Sequence, residues 1–329
     1  MADEEPEQPL SEALLDLSNL GRTVDGTGFA YRSAQCMGKR IGVIKAIEAY
    51  AHLQHLDLSR NAIKELAPLT GLQYLLELNL SHNVVQSLKA WETEEEPFLP
   101  YLAKLDLSFN ALKALPALQL KSLRKATFAK NEIATCQDFK GHERLEELDL
   151  SSNQIAALEG VAAMPALKLL DLSSNKLAEL TGLSELPALE DLNLSQNGKL
   201  EALEGPWQDL GSIHSLDLTG CRLASIKTLE LLRQLPKLRR LGLRGNPFTK
   251  LAESSNRTTP VPVEAEDAGV SDVAPPRVEV LICHWRLEKI DGEDVTPEEL
   301  EEARMLNVSR VAEERAQAKA LEEAAAEAE

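Results

Sequence analysis

The chain has 329 residues, a formal net charge of −18 and only 4% aromatic residues. Its length would allow two domains, but the acidic balance argues against nucleic acid as a partner, because binding the phosphate backbone requires a surplus of Lys and Arg. The acids are concentrated at the two ends: residues 1–9 hold four acids and no base, and residues 293–329 hold twelve acids against four bases. We therefore expect acidic tails on a more nearly neutral body.

The N-terminal segment MADEEPEQ shows no targeting or membrane signal. It lacks a positive charge followed by an apolar run, and no stretch of the chain approaches 18 consecutive apolar residues. We expect a soluble, intracellular protein without a membrane partner, and an acidic disordered tail over residues 1–9.

An N-terminal cap is predicted for residues 10–30. In the segment PLSEALLDLSNL, leucines recur at a spacing of three to four residues after a Ser. This spacing favours a short helix with Ser11 at its N-cap. The side of the helix that would cover the first repeat consists of Leu10, Leu14, Leu17 and Leu20.

The centre of the chain repeats one phrase. LDLSSNQIAAL starts at Leu148, and LDLSSNKLAEL starts 22 residues later at Leu170. The frame L-x-x-L-x-L-x-x-N fits nine times between residues 53 and 246, at intervals of 21 to 27 residues. This period is typical of leucine-rich repeats, in which each unit buries its apolar face only by stacking on its neighbours. The last position of the frame, the column position, holds Asn61, Asn83, Asn110, Asn131, Asn153, Asn175, Asn197, Cys221 and Asn246.

Each copy predicts the same small unit. The L-x-L core alternates with a period of two, which indicates a short strand with one buried face. The column Asn offers a donor and an acceptor to the turning backbone. A degenerate tenth copy has Ala34 and Cys36 at leucine positions and Lys39 at the column position. We predict an α/β leucine-rich repeat solenoid over residues 31–249, a horseshoe with a parallel concave β-sheet, 3₁₀ turns on the convex side and a helical N-terminal cap.

The strand residues between the core leucines face the concave side. One column is largely acidic, with Asp at positions 57, 106, 149, 171 and 217, and the next is largely Ser. Asp-Leu-Ser is a common filler of such repeats, but like charges on adjacent strands repel, so a structural role and a binding role both stay open. The C-terminal end of this face carries a basic patch, a candidate site for an acidic neighbour, formed by Lys237, Arg239, Arg240 and Arg244.

One repeat is longer than the others. The segment QSLKAWETEEEPFLP adds five residues to the period between Asn83 and Asn110. Insertions in repeat arrays often lie on binding surfaces, and Trp is frequent at interaction hot spots. The alternative is a solvated loop whose Trp folds back on the edge of the solenoid. The candidate partner-binding residues of this insertion are Trp91, Glu94, Glu95 and Phe98.

Three segments follow the last repeat. Residues 250–276 are polar and rich in Ser, Thr, Pro and acids, which indicates a flexible loop. Residues 277–296 regain apolar character and are predicted to cap the open end. Thr296, Pro297 and Glu299 match a capping box, so an acidic helix is expected over residues 297–329. The apolar residues of this cap are Val280, Leu281, Trp285, Leu287 and Ile290, and Trp285 is also a candidate for partner binding.

The sequence contains no constellation that points to catalysis. It lacks a phosphate-binding loop, a dinucleotide fingerprint and the Cys or His spacing of a zinc site. The four cysteines are far apart in sequence, which favours buried free thiols. We expect no enzyme activity and no cofactor, metal or small-molecule substrate.

Two sets of residues resemble known families. Repeats that read LxxLxLxxNxIxxLxxLxxLxxL resemble the phosphatase-regulator type, which also occurs in dynein light chains. GTGFAYRSAQ and IKAIEAYAHLQHLDLSRNAIKEL near the N-terminus, with LRRLGLRGNPF and LEKIDGEDVTPEE near the C-terminus, are similar to the leucine-rich repeat-containing protein 23 family, radial spoke proteins of motile cilia and flagella. This similarity implies a non-catalytic scaffold of the axoneme, in the cytoskeleton, that binds other spoke or axonemal proteins. The alternative is a regulatory subunit that binds a phosphatase or dynein through the concave face.

Overall fold

The structure of the protein is a computed structural model that describes residues 7–23, 26–91, 98–161, 163–180, 182–183, 185–248 and 276–327. Its strands are β1 (Gln8–Pro9), β2 (Asp16–Arg22), β3 (Phe29–Gln35), β4 (Ile41–Val43), β5 (His55–Asp57), β6 (Glu77–Asn79), β7 (Lys104–Asp106), β8 (Lys125–Thr127), β9 (Glu147–Asp149), β10 (Leu169–Asp171), β11 (Asp191–Asn193), β12 (Ser215–Asp217), β13 (Arg240–Gly242), β14 (Lys289–Ile290) and β15 (Glu293–Asp294). Within the described residues, β2, β3 and β5 to β15 form one thirteen-stranded sheet, and β1 pairs separately with β4.

The strands of the repeats pair in parallel with matching register. Leu148 lies opposite Leu170, and Leu170 lies opposite Leu192. The degenerate tenth copy, at the N-terminal end of the array, follows the same register, because Ala34 lies opposite Leu56. The chain is therefore a leucine-rich repeat solenoid, and its inward leucines form one continuous core from end to end.

The column Asn holds the turn after each strand, as the sequence predicts. Asn153 Nδ2 donates to Phe128 O of the preceding repeat and to Leu150 O of its own, both at 3.0 Å. Its Oδ1 accepts from Ile133 N at 3.0 Å. In the eighth copy Cys221 Sγ donates to Leu194 O at 3.4 Å and replaces part of this network. Buried backbone groups that would otherwise lack partners are thus satisfied by one side chain per repeat.

The convex side is built from short turns. The second apolar pair of each repeat points inward here, and Ile155 and Leu158 are both buried. The segments that return the chain to the next strand are too short for regular helices, as predicted. The 3₁₀ helices of this part of the described chain are Lys45–Ala49, Ala67–Gly71, Lys89–Trp91, Trp207–Asp209 and Ile226–Gln234.

The N-terminal cap differs from the predicted helix. Glu12–Leu14 form one 3₁₀ turn, and β2 and β3 then form an antiparallel hairpin. Leu20 is 62% exposed and covers no strand. The physical reason is that β3 would otherwise leave a row of free backbone groups at the edge of the sheet, and only a paired strand satisfies them. Residues 8 and 9 pair with β4, so this part of the predicted disordered tail is a short strand.

The C-terminal cap consists of helix α1 (Arg277–Cys283), β14, β15 and helix α2 (Pro297–Glu327). Strand β14 pairs with β13 and so covers the last repeat. The predicted capping box is confirmed: Thr296 N donates to Glu299 Oε2 at 2.8 Å, and Glu299 N donates to Thr296 Oγ1 at 3.2 Å. Residues 249–275, which include nearly all of the predicted polar loop, lie outside the described residues.

One residue of the predicted cap core is on the surface. Val280, Leu281, Leu287 and Ile290 are buried as expected, but Trp285 is 61% exposed. It follows the end of α1, and the guanidinium of Arg286 lies 4.9 Å from the centroid of its ring. The assignment of Trp285 to the core of the cap is therefore wrong, whereas its candidacy for partner binding stays a prediction.

Two buried histidines link stability to pH. His142 Nε2 donates to Leu120 O at 3.0 Å, and His142 Nδ1 accepts from Arg144 N at 3.2 Å. The bond from Arg144 N requires the neutral ring, because a proton on Nδ1 would oppose the N–H of Arg144. Burial lowers the pKa of His142 below its ordinary value of about 6.5, and burial also lowers the pKa of His284.

We expect the protein to lose stability as the pH falls from about 7.5 to about 5.5, because the unfolded chain binds protons on these histidines in a range where the folded chain does not. Their contribution is fully present above the ordinary His pKa and is lost below it. Urea unfolding at the two pH values checks this. The double variant His142→Gln/His284→Gln should show a smaller difference between them; an undiminished difference would contradict the assignment.

Candidate protein-interaction surfaces

The described residues include neither a candidate metal site nor a reactive thiol. No group of three or more His, Cys, Asp or Glu side chains that could hold a metal ion occurs among them. The four cysteines are free and buried, as the sequence predicts. Burial raises the pKa of Cys136 and of Cys221 to about 12, so both thiols stay protonated and are poor nucleophiles. None of the described helices has the length and apolar character that a bilayer-spanning segment needs.

The long repeat buries its aromatic residues. Trp91 is 5% exposed and Phe98 is 7% exposed, and their ring centroids lie 5.0 Å apart against the core. This geometry agrees with the alternative in which the Trp folds back on the edge of the solenoid, because burial removes more apolar surface from water than a solvated loop would. Glu94 and Glu95 lie outside the described residues. Partner binding through this insertion stays a prediction that the burial of both rings does not support.

The acidic concave column has a structural role. Asp149 Oδ1 accepts from Ser151 N at 2.9 Å, and the same bond to the residue two positions later recurs along the column. Where Asn replaces Asp, its amide donates to the carboxylate of the preceding strand: Asn193 Nδ2 donates to Asp171 Oδ2 at 3.1 Å. Each of these carboxylates therefore holds the backbone after its own strand, and the column needs no ligand to explain it.

A second concave column carries paired charges that the sequence analysis did not single out. Glu77 lies between His55 and Lys104, at 3.4 Å and 2.6 Å, and Lys125 pairs with Glu147. The hydrogen bond from Lys104 lowers the pKa of Glu77. The sequence pattern that could have predicted this column is the recurrence of opposite charges at intervals of one repeat, since parallel strands in register place such residues side by side.

The predicted basic patch is paired with acids of the same chain. Arg240 reaches Asp191 on a neighbouring part of the sheet at 3.1 Å. Arg239 meets Glu288 at 3.4 Å, and Arg244 meets Glu293 at 3.3 Å, so both tie the last repeat to the C-terminal cap. These pairs are exposed and contribute little to stability. They reduce the net positive charge that the patch offers to an acidic neighbour.

Helix α2 is fixed to the cap through its first half. Arg277 Nε and Nη2 donate to the two carboxylate oxygens of Glu299, at 2.5 and 3.1 Å, and this bond lowers the pKa of the Glu299 carboxyl. About three turns of the helix farther on, Arg310 donates to both oxygens of Glu279 on α1, at 2.7 and 2.6 Å. Bidentate Arg–carboxylate pairs fix orientation as well as distance. The start of α2 therefore has a defined position on the solenoid.

An exposed apolar surface, the cap patch, lies beside this junction. Its residues are Trp285 and Val308, which are 61% and 68% exposed. Trp285 lines a groove between α1 and α2 together with Leu281, Ile282, Leu300, Ala303, Arg304 and Asn307. Val308 follows Arg304 by one turn of the helix and so lies on the same side. Large exposed apolar side chains next to a preformed groove are typical of protein interaction sites.

Leucine-rich repeat family models match residues 130–258 and residues 51–64. Human leucine-rich repeat-containing protein 23 is 30% identical over 314 residues, which are 94% of this chain and 82% of that protein. The chain belongs to the leucine-rich repeat-containing protein 23 family. The bovine member is 30% identical over 243 residues, which are 73% of this chain and 69% of the bovine protein. Among solved structures, the functional domain of InlJ from Listeria monocytogenes is 22% identical with a TM-score of 0.47, over 67% of this chain and 52% of that one.

Membership of the family assigns a non-catalytic role in protein interaction. The structure separates the predicted site residues into two groups. Trp285 and the three arginines lie at the C-terminal end of the solenoid, where Arg286 Nη1 also donates to Pro236 O at 3.1 Å and connects the cap to the last repeat. Trp91 and Phe98 belong to the core of an earlier repeat.

Proposed function

We propose that this protein is a structural, non-catalytic component of the radial spokes of cilia and flagella, where it holds spoke or axonemal proteins together. The similarity of its flanks to the leucine-rich repeat-containing protein 23 family supports this role, and so does the match to relatives over most of the chain. The proposal places the protein in the cytoplasm, on the cytoskeleton of the axoneme.

We propose that the partners bind at the cap patch, and its exposure is the observation that supports this. Trp is the residue most often found at interaction hot spots, and Trp285 is exposed beside a groove. Helix α2 has 31 residues and is therefore about 46 Å long, at about 1.5 Å per residue. Its first half is fixed by Arg277 and Arg310, so the helix can present its exposed face to a neighbour in a defined direction.

Assembly into cilia tests this proposal. Spoke-deficient cilia should incorporate the double variant Trp285→Ala/Val308→Ser poorly, and a chain cut after Thr296 should also fail, because both lose the cap patch. Phe29→Ala is the matched control, since Phe29 is a 70% exposed aromatic at the opposite end of the solenoid. Incorporation of the control should equal that of the wild type.

The alternative site is the concave face, which a phosphatase or dynein regulator would use. Asp149 and Asp171 hold the backbone of their own repeats, which favours the cap patch over the concave column. If Asp149→Ala and Asp171→Ala abolished incorporation in folded protein while the cap variants assembled normally, the concave face would be the binding site.

A further inference from the structure

A row of basic and aromatic side chains lies along one rim of the concave face. It consists of the residues just before the column Asn in four successive repeats, Arg60, His82, Phe109 and Lys130, and we call it the rim ladder. All four are exposed, Phe109 by 39%. The rings of His82 and Phe109 stack with centroids 3.9 Å apart, and Lys130 Nζ lies 4.4 Å from the centroid of Phe109. Three neighbouring repeats thus share one continuous surface.

The backbone at this position does not favour such side chains. Phe109 has a φ of 54°, in the left-handed region, and its N–H donates to Ala129 O at 2.9 Å. Glycine adopts this conformation without strain, whereas a bulky aromatic residue there is an outlier. The equivalent positions toward the C-terminus, which also have positive φ, hold Ser152, Ser174, Gln196, Gly220 and Gly245. The fold therefore does not require the large side chains of the rim ladder, and strain of this kind points to a function.

The charges of the rim ladder are available to a partner. Among the described residues, the ion pairs of the concave face use cations such as Lys104, Lys125 and Arg240, and none of them uses Arg60 or Lys130. The two cations attract carboxylates. The aromatic rings between them attract an aromatic group, because the positive edge of one ring contacts the negative face of another. A ligand that combines carboxylates with an aromatic group therefore fits this site. A local basic site on an acidic protein selects acidic ligands at short range only.

The spacing defines the ligand further. The backbones of adjacent strands lie about 4.8 Å apart. Arg60 and Lys130 are three repeats apart, so their backbone positions are separated by about 14 Å. An extended peptide rises about 3.4 Å per residue and presents alternate side chains on one face. Residues at positions one, three and five of such a peptide therefore span about 14 Å as well.

We propose that the rim ladder binds an extended acidic peptide of the pattern Glu-x-Tyr-x-Glu. The two glutamates pair with Arg60 and Lys130, and the tyrosine ring packs on the stacked rings of His82 and Phe109. This surface is distinct from the cap patch and does not depend on the location proposed above. Its four residues come from repeats in the N-terminal half of the solenoid, whereas the cap patch lies at the C-terminal end.

Fluorescence anisotropy with the full chain and the labelled peptide Gly-Glu-Ser-Tyr-Ser-Glu-Gly tests the proposal. We expect saturable binding that weakens as salt is raised, because the contacts are exposed charges. Phe109→Asn, which tolerates positive φ, and the double variant Arg60→Gln/Lys130→Gln should each weaken binding by about tenfold or more, the loss expected when a hot-spot residue is removed. Peptides with Ser in place of Tyr, or Gln in place of both Glu residues, should bind correspondingly less.

Matched controls separate the rim ladder from general effects. Gln196→Asn changes the same backbone position in a C-terminal repeat, and Lys176→Gln removes a charge next to the column Asn of a C-terminal repeat. Both should bind the peptide within about twofold of the wild type, since neither belongs to the rim ladder. Absence of saturable binding, equal binding by all variants with unchanged melting temperatures, or equal loss in the controls would overturn the proposal.

Discussion

Replacing Leu172 by Ala should lower the free energy of unfolding by about 2 to 5 kcal/mol. Leu172 is fully buried in the middle of the continuous core, with Leu150 and Leu194 at the equivalent positions of the neighbouring repeats. The loss combines the transfer free energy of the missing methyl groups with the cost of a cavity that the stacked strands cannot close. Urea unfolding followed by circular dichroism measures it, and Leu150→Ala should behave in the same way.

Leu169→Ala is the matched control for this prediction. Leu169 is the first residue of strand β10, which ends directly before Leu172, but it is 38% exposed on the concave face. Its replacement should change stability by less than about 1 kcal/mol, as surface substitutions usually do. The inward assignment fails if Leu172→Ala costs less than about 0.5 kcal/mol or no more than Leu169→Ala.

Replacing Asn175 by Ala should cost about 2 to 5 kcal/mol, although the side chain is short and polar, because each orphaned buried polar group costs about 1 to 3 kcal/mol. Asn175 Nδ2 donates to Leu150 O at 2.9 Å and to Leu172 O at 3.0 Å, and Asn175 Oδ1 accepts from Ile155 N at 3.0 Å. The variant leaves these three backbone groups of two repeats, and also Ser173 O, without this partner. Urea unfolding again provides the measurement.

A graded series strengthens this second test. The eighth repeat uses Cys221 at the column position, where the thiol keeps one weak bond to Leu194 O. Asn175→Cys should therefore be less destabilising than Asn175→Ala. Ser174→Ala, at the adjacent exposed position, should have little effect. Equal stability of the Ala variant and the wild type would show that water replaces the Asn network.

The sequence alone predicts most of the solenoid. The frame repeats nine times, and each copy sets its own strand and turn through neighbouring residues such as Leu170, Leu172 and Asn175. Stacking identical units in parallel then fixes the register, because only one alignment puts every leucine inward. The capping box at Thr296 and Glu299 is predictable for the same reason, since both partners lie within one helical turn.

The functional surfaces were less predictable. Trp91 and Trp285 both occur in segments outside the strict frame, yet one is buried and the other exposed. Their environments depend on residues far away in sequence, which no local pattern contains. The bond between Asp149 and Ser151, in contrast, spans only two residues, and it supports the structural one of the two roles that the recurring Asp-x-Ser pattern left open.

Local, repeated information thus determined the leucine core, the column Asn network and the order of the strands. Tertiary structure decided the ends. Leu17 and Leu20 have a spacing that suits a helix, but they lie in the β2–β3 hairpin, because pairing with the free edge of the sheet satisfies more backbone groups than a helix would. The rim ladder also emerged only from stacking: residues one repeat apart, such as His82 and Phe109, become neighbours when their strands pair.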